Sequence, residues 1–185
     1  MKKNQTLRAI TEGAIMLALA TVLSLFKLFQ LPAGGSVNLS MIPILFYCIR
    51  WGVGRGMLVG LADGILQMLL DGAMSWGWVS IILDYLVAFT LLGLCGVGFR
   101  KKAGVFYGPV IGVLARFAAH FISGVTAFAI TEPTELLGKT FVNPYLYSAV
   151  YNGSFLLIDL AICLVVFAAL YAPLKKYFLG EDLKS

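Results

Sequence analysis

The sequence predicts an all-α integral membrane protein, a bundle of six transmembrane helices with both termini cytoplasmic. Three observations predict it. Of the 185 residues, 60% are hydrophobic and 12% charged, about half the charge of an ordinary soluble domain, and the mean hydropathy is +0.91. The apolar residues gather into six runs separated by polar or Gly/Pro-rich breaks. At about 20 residues per crossing this length holds no additional soluble domain. Basic residues are also shared unevenly between the two sets of connections, which is how a membrane chain encodes its orientation.

The first span, 7–29, follows Lys2 and Lys3. Ala18-Leu19-Ala20 has the small-x-small form of a signal cleavage site, but the apolar run continues to Phe29. That exceeds the ~7–15 residues of a signal core, so the segment is expected to stay as a helix. Spans 38–50 and 56–70 are short for a full crossing. They predict tilted helices, or a Trp51-Gly52-Val53-Gly54 connection lying shallowly in the membrane. Spans 78–99, 105–130 and 145–172 are long enough to cross, and residues 1–185 read as one membrane domain. With both termini inside, the cytoplasmic bases are Lys2, Lys3, Arg8, Arg50, Arg55, Arg100, Lys101, Lys102, Lys175, Lys176 and Lys184. Only Lys27 and Lys139 fall outside, and Arg116 lies within the fifth span. The net charge of +5 therefore reports orientation in a cell membrane rather than a nucleic-acid partner. Cys48, Cys95 and Cys163 stand singly in apolar runs and read as small buried hydrophobes.

Gly52, Gly56, Gly60 and Gly64 recur every fourth residue, and Gly108 and Gly112 repeat the spacing. Small residues at i, i+4 let helix backbones approach closely, and packing inside the bundle is the expected use. Ala14 and Ala18 form a second smooth face, on the first helix, where another membrane protein could dock.

Ionisable residues at membrane depth are functional hypotheses by default: Glu12, Asp63, Asp84, Arg116, His120 and Asp159. Rise per residue puts Arg116, Asp159 and Asp63 near the bilayer middle, where Arg116 is expected to pair with Asp159 or Asp63. A second layer lies further out. His120 is one turn outward of Arg116, and Gly124 and Phe128 continue its stripe. Asp84, Tyr85, Tyr147, Tyr151 and Asn152 fall at a similar depth, with Trp76 and Trp78 at the mouth as an expected interfacial belt. A carboxylate among aromatic faces suits a small, flat, cationic or amino-bearing heterocycle, because rings supply stacking and cation–π attraction while Asp84 and Asn152 supply directed hydrogen bonds. No GxxxxGK[ST] loop, paired metal ligands or nucleophile–base motif occurs. No cofactor, metal or catalysis is expected, and uphill transport must draw energy from a partner or an ion gradient.

Five segments then carry a family resemblance: Thr11–Ala20; Met41–Leu45 with Arg50-Trp51-Gly52; Leu83-Asp84-Tyr85-Leu86-Val87-Ala88; Arg116–Gly124; and Tyr147–Gly153. Over nearly the whole chain they resemble the thiamine-specific branch of the substrate-binding S components of energy-coupling factor transporters. The resemblance implies a six-helix bundle of the S-component type that captures thiamine from outside. It also implies docking through Ala14 and Ala18 on a transmembrane coupling subunit driven by two cytoplasmic ATPases. In the pocket it assigns Asp84 to the aminopyrimidine and His120 and Phe128 to the surroundings of the thiazolium, with Tyr85, Tyr147 and Asn152 completing the site. The chain departs from the family's pattern at Asp84, usually Glu, at Phe128, usually Trp, at Met74, usually aromatic, and in the Pro32–Gly35 loop, which lacks a Trp. Another pyrimidine or vitamin-like heterocycle is the alternative ligand. From other classes, the residues also admit a proton-coupled carrier using Asp63, Arg116 and Asp159, or a lipid enzyme using Asp84 and His120 as an acid–base pair.

Overall fold

In the computed structural model, which describes residues 3–31, 34–72, 77–131, 134–136 and 138–183, the chain winds into six helical rods joined by two small hairpins. Helix α1 (Lys3–Ser24) stops five residues before the apolar run does. Its last turn tightens through Leu25 N–H to Val22 C=O and Phe26 N–H to Leu23 C=O, a common way to satisfy terminal carbonyls. Hydropathy carries the expected span on to Phe29 because Leu25, Phe26, Leu28 and Phe29, flanking the single Lys27, are apolar whether or not they are helical.

The chain then turns back as the hairpin β1 (Phe29–Gln30) and β2 (Ser36–Val37). Leu31 and Val37 are buried in the core, and the Asn38 N–H donates to Asp159 Oδ1 at 3.1 Å. Non-helical backbone at the depth of Asp159 needs such polar partners, since lipid supplies none. This inward loop explains the short α2 (Met41–Trp51). Eleven residues rise only about 16 Å, short of a full crossing.

Helix α3 (Val53–Leu70) follows α2 after the single residue Gly52, at φ 84° and ψ 176°. That left-handed φ is cheap only for glycine, so the connection is tighter than the four-residue stretch the sequence suggests. Helix α4 (Trp78–Gly98) is one rod of changing pitch: a π-helical stretch over Ile81–Val87, an α-turn over Ala88–Leu91 and a 3-10 stretch over Leu92–Gly98. Helix α5 (Gly104–Thr131) leads into the hairpin β3 (Thr134–Leu136) and β4 (Lys139–Phe141). Helix α6 (Pro144–Phe178) begins with Asn143, whose side chain accepts from Tyr145 N–H and Leu146 N–H, an N-cap of the usual kind. It runs six residues past the expected end, through Pro173, and a 3-10 turn (Glu181–Leu183) closes the described chain.

The glycine column packs the bundle from inside, as the spacing predicts. A Cβ on Gly64 would lie 2.1 Å from the Tyr85 carbonyl oxygen, one on Gly60 2.3 Å from that of Phe89, and one on Gly56 3.2 Å from that of Gly93. The partner positions rise by four as the glycines fall by four, so α3 and α4 run antiparallel in backbone contact. Gly108 and Gly112 meet α4 the same way, a Cβ on them falling 2.6 Å from Cys95 O and 2.8 Å from Leu92 O. Cys48, Cys95 and Cys163 are buried free thiols. Large apolar side chains such as Leu7, Ile10, Leu58, Leu157 and Val165 face outward, the arrangement a lipid solvent favours.

Both ends of the described chain meet at one end of the bundle, where Gln5 donates to the Leu183 carbonyl at 3.0 Å. Arg50, at the end of α2, is the hub there. All five of its N–H donors are used: Nε and Nη2 on Glu12 of α1 at 2.6 and 3.0 Å, Nη1 and Nη2 on Asp182 at 2.7 Å each, and Nη1 on the Tyr177 carbonyl at 2.8 Å. Trp51 Nε1 donates to Glu12 at 2.7 Å, and Arg8 bonds both Glu12 and Asp182.

Candidate functional site

At the opposite half of the bundle the polar residues of α4, α5 and α6 converge. The π-helical stretch of α4 surrounds Asp84, and such over-wide turns gather at functional sites. Ser80, four residues earlier, donates to Asp84 Oδ2 at 2.5 Å, and Ser123 of α5 donates to the same oxygen at 2.6 Å. His120 Nδ1 lies 2.8 Å from Asp84 Oδ1. On the other side of the ring, Arg116 Nε donates to His120 Nε2 at 3.2 Å.

Those contacts decide where the imidazole proton sits. A guanidinium is always a donor, so Nε2 accepts, and the proton belongs on Nδ1, which donates to Asp84. His120 is therefore a neutral ring bonded at both nitrogens, and Asp84 is an acceptor-only carboxylate.

Arg116 forms no ion pair: among the described residues no carboxylate oxygen lies within 4.0 Å of it. The expected bond to Asp159 or Asp63 is absent because each acid has another partner, Asn38 N–H for Asp159 and Gln67 for Asp63. The guanidinium instead sits 4.1 Å above the Phe89 ring of α4.

Helix α6 supplies the facing wall. Tyr147, Tyr151 and Phe155 recur every fourth residue on one stripe. Tyr147 stacks on Tyr151 at 5.7 Å and 24°, Tyr151 meets Phe155 edge-on at 6.0 Å, and Phe155 meets His120 edge-on at 6.0 Å. The inward loop touches this stripe, with Gly35 N–H donating to the Tyr151 hydroxyl at 2.8 Å. A Cβ on Gly35 would fall 2.8 Å from the Phe155 ring, so only glycine permits that approach.

Asn152 faces the same region. Its Nδ2 donates to the His120 carbonyl at 3.1 Å and the Ser148 carbonyl at 3.0 Å, which ties α5 to α6 and leaves Oδ1 as the amide's acceptor. Gly124 lies one turn from His120 on α5, close to Ser148 and Asn152 of α6. A Cβ there would fall 2.4 Å from Ser148 Oγ, so its surface is taken up by α5–α6 packing. Tyr85 is buried in the core cluster one residue from Asp84. Phe128 belongs to α5, but its side chain, like Met74, Trp76 and residues 32–33, lies outside the described residues. Trp78 is 82% exposed at the start of α4, as an interfacial residue would be. Ala14 and Ala18 are exposed on α1.

The serines, Phe155 and Gly35 were not singled out by sequence reasoning. A helical serine usually bonds its own preceding turn, so Ser80 and Ser123 carry little signal. Only their i+4 and i+3 spacing to Asp84 and His120 points to the site.

The comparisons with known proteins agree with this architecture. Residues 10–179 match the family model described as "Thiamine transporter protein (Thia_YuaJ)". The chain belongs to this thiamine transporter protein family. It is similar to thiamine transporter ThiT of Bacillus subtilis (strain 168), 32% identical with 92% of this chain and 94% of that protein covered. It is also similar to the ThiT of Lacticaseibacillus paracasei, 29% identical with 100% and 97% covered. Among solved structures it resembles ThiT from Listeria monocytogenes, with a TM-score of 0.80, 26% identity, and 94% of this chain and 98% of that one covered. The family and the apolar helices make this a multi-pass membrane protein with the all-α fold of that structure.

Proposed function

We propose that this protein binds thiamine from outside the cell as the S component of an energy-coupling factor importer. The observation that carries the reading is the Asp84 carboxylate, held by His120, Ser80 and Ser123, beside the aromatic stripe of α6. Thiamine combines an aminopyrimidine with a cationic thiazolium, so it needs one directed acceptor and several ring faces. Asp84 takes the amino group, and Asn152 Oδ1 adds a second acceptor. His120, Tyr147 and Phe128 surround the thiazolium, with Tyr85 behind Asp84. Gly124 acts through packing. The names of the relatives support thiamine as the substrate and transport rather than catalysis.

The end of the bundle that carries Arg8, Arg50, Arg55 and Arg100 is the cytoplasmic one, with both termini on that side, because basic residues are retained inside. Having no phosphate-binding loop, the chain relies on a transmembrane coupling subunit and two cytoplasmic ATPases, docked through the exposed Ala14/Ala18 face of α1. An Ala18→Leu variant is expected to keep thiamine binding and lose ATP-driven uptake. Proton-driven uptake by liposomes holding this chain alone would overturn the coupled mechanism.

The test of the ligand is a titration of tryptophan fluorescence of the purified chain with thiamine, with Asp84→Asn and His120→Ala as controls. Saturable quenching that weakens in both variants supports the reading. A folded protein that shows no thiamine binding by equilibrium dialysis overturns it.

A further inference from the structure

We propose that Arg116 is a positioning residue: by donating to His120 Nε2 it holds the imidazole neutral, and so reserves the charge of Asp84 for the ligand. The ligand's identity rests on the reading above; the proton arrangement does not. Arg116 is 9% exposed and has no carboxylate within 4.0 Å among the described residues. A buried arginine is normally paired with one. Here Phe89 supports its face and His120 takes its Nε–H.

The consequence follows from counting protons. With Nε2 occupied as an acceptor, the ring has room for one proton, on Nδ1, and that proton points at Asp84 Oδ1. A ring protonated at both nitrogens would stand beside Asp84 as a cation and cancel the counter-charge a cationic ligand needs. The other titratable groups nearby are Tyr85, beside Asp84 on its own helix, and, around the Arg116 guanidinium, Asp63 on α3 and Asp159 and Cys163 on α6. Asp63 and Asp159 are tied to Gln67 and Asn38, so neither takes over the ring.

His120 is the chain's one histidine, which makes nitrogen NMR of the ¹⁵N-histidine-labelled protein in detergent unambiguous. The unliganded protein is expected to show one protonated and one bare ring nitrogen, the proton on Nδ1, at neutral pH and in mild acid. Arg116→Met is expected to show both nitrogens protonated in mild acid, with thiamine affinity there reduced about tenfold or more, the size of a lost charged interaction. Arg116→Lys is expected to restore the single-proton ring in part. A wild-type ring with its proton on Nε2 or protons on both nitrogens overturns the proposal, as does a folded Arg116→Met protein with unchanged spectrum and affinity. Because the wild-type spectrum needs neither variant nor ligand, a failure of thiamine to bind would leave it readable.

Discussion

Arg50 and Arg116 are both buried arginines on apolar helices, 2% and 9% exposed, yet their surroundings differ in kind. Every donor of Arg50 is spent on Glu12, Asp182 and the Tyr177 carbonyl, and the result joins α1, α2 and the end of the chain. Among the described residues Arg116 makes one hydrogen bond, to a ring nitrogen, while three acids stand around it beyond contact distance. Saturation marks the structural charge. An arginine whose fork is left open beside an ordered carboxylate marks the region where a ligand can still be recognised. The glycine column lies between these two layers, so the rigid end and the binding half share the same α3–α4 contact.

Removing one member of a saturated buried pair has the largest expected effect. Arg50→Met leaves Glu12 and Asp182 with only the half-exposed Arg8 as a counter-charge and is expected to cost about 3–5 kcal/mol, read as a lower melting temperature in detergent with thiamine affinity retained in the folded fraction. Arg116→Met orphans no carboxylate but leaves the buried His120 Nε2 without its donor, and is expected to cost about 1–3 kcal/mol, less than the Arg50 variant; equal losses in the two variants would erase the contrast. Asp84→Asn is expected to weaken thiamine binding about a hundredfold and to lower the melting temperature by less than the Arg50 variant does, because the charged acceptor is lost and the amide NH2 meets a donor from His120 or the serines; calorimetric titration and thermal unfolding measure the two. Gly64→Ala puts a methyl 2.1 Å from the Tyr85 carbonyl and is expected to cost about 1–3 kcal/mol. Since Tyr85 adjoins Asp84, affinity should fall with stability, unlike in the Arg50 variant. Asp182→Asn, at a side chain 16% exposed, is expected to cost about 1 kcal/mol and to leave binding untouched, as thermal unfolding and titration together would show.

How much of this was legible follows from the range of each signal. The Gly56, Gly60 and Gly64 spacing announces a close helix contact, because period and residue size are local properties. It does not name α4 as the partner. Asp84 and His120 are legible as buried polar groups at one depth, whereas the serines that hold Asp84 look like ordinary helical serines. Glu12 and Arg50 were visible separately. Their union with Asp182 was not, since the bonds span 38 and 132 residues. The expected Arg116 pair with Asp159 or Asp63 fails for the same reason: depth alone does not show that Asn38 and Gln67 reach those acids first.

The sequence by itself determined the all-α membrane class, the helical runs and the uneven sharing of basic residues. Transfer of side chains into lipid is summed residue by residue, and a window of about 20 residues contains it. Only the tertiary structure decided which buried charge meets which, that the loop after α1 turns inward to reach Asp159, and that α4 widens around Asp84. Those outcomes depend on hydrogen-bond geometry over a few ångströms between helices distant in the chain, where lipid provides no substitute partner and each polar group must find one within the fold.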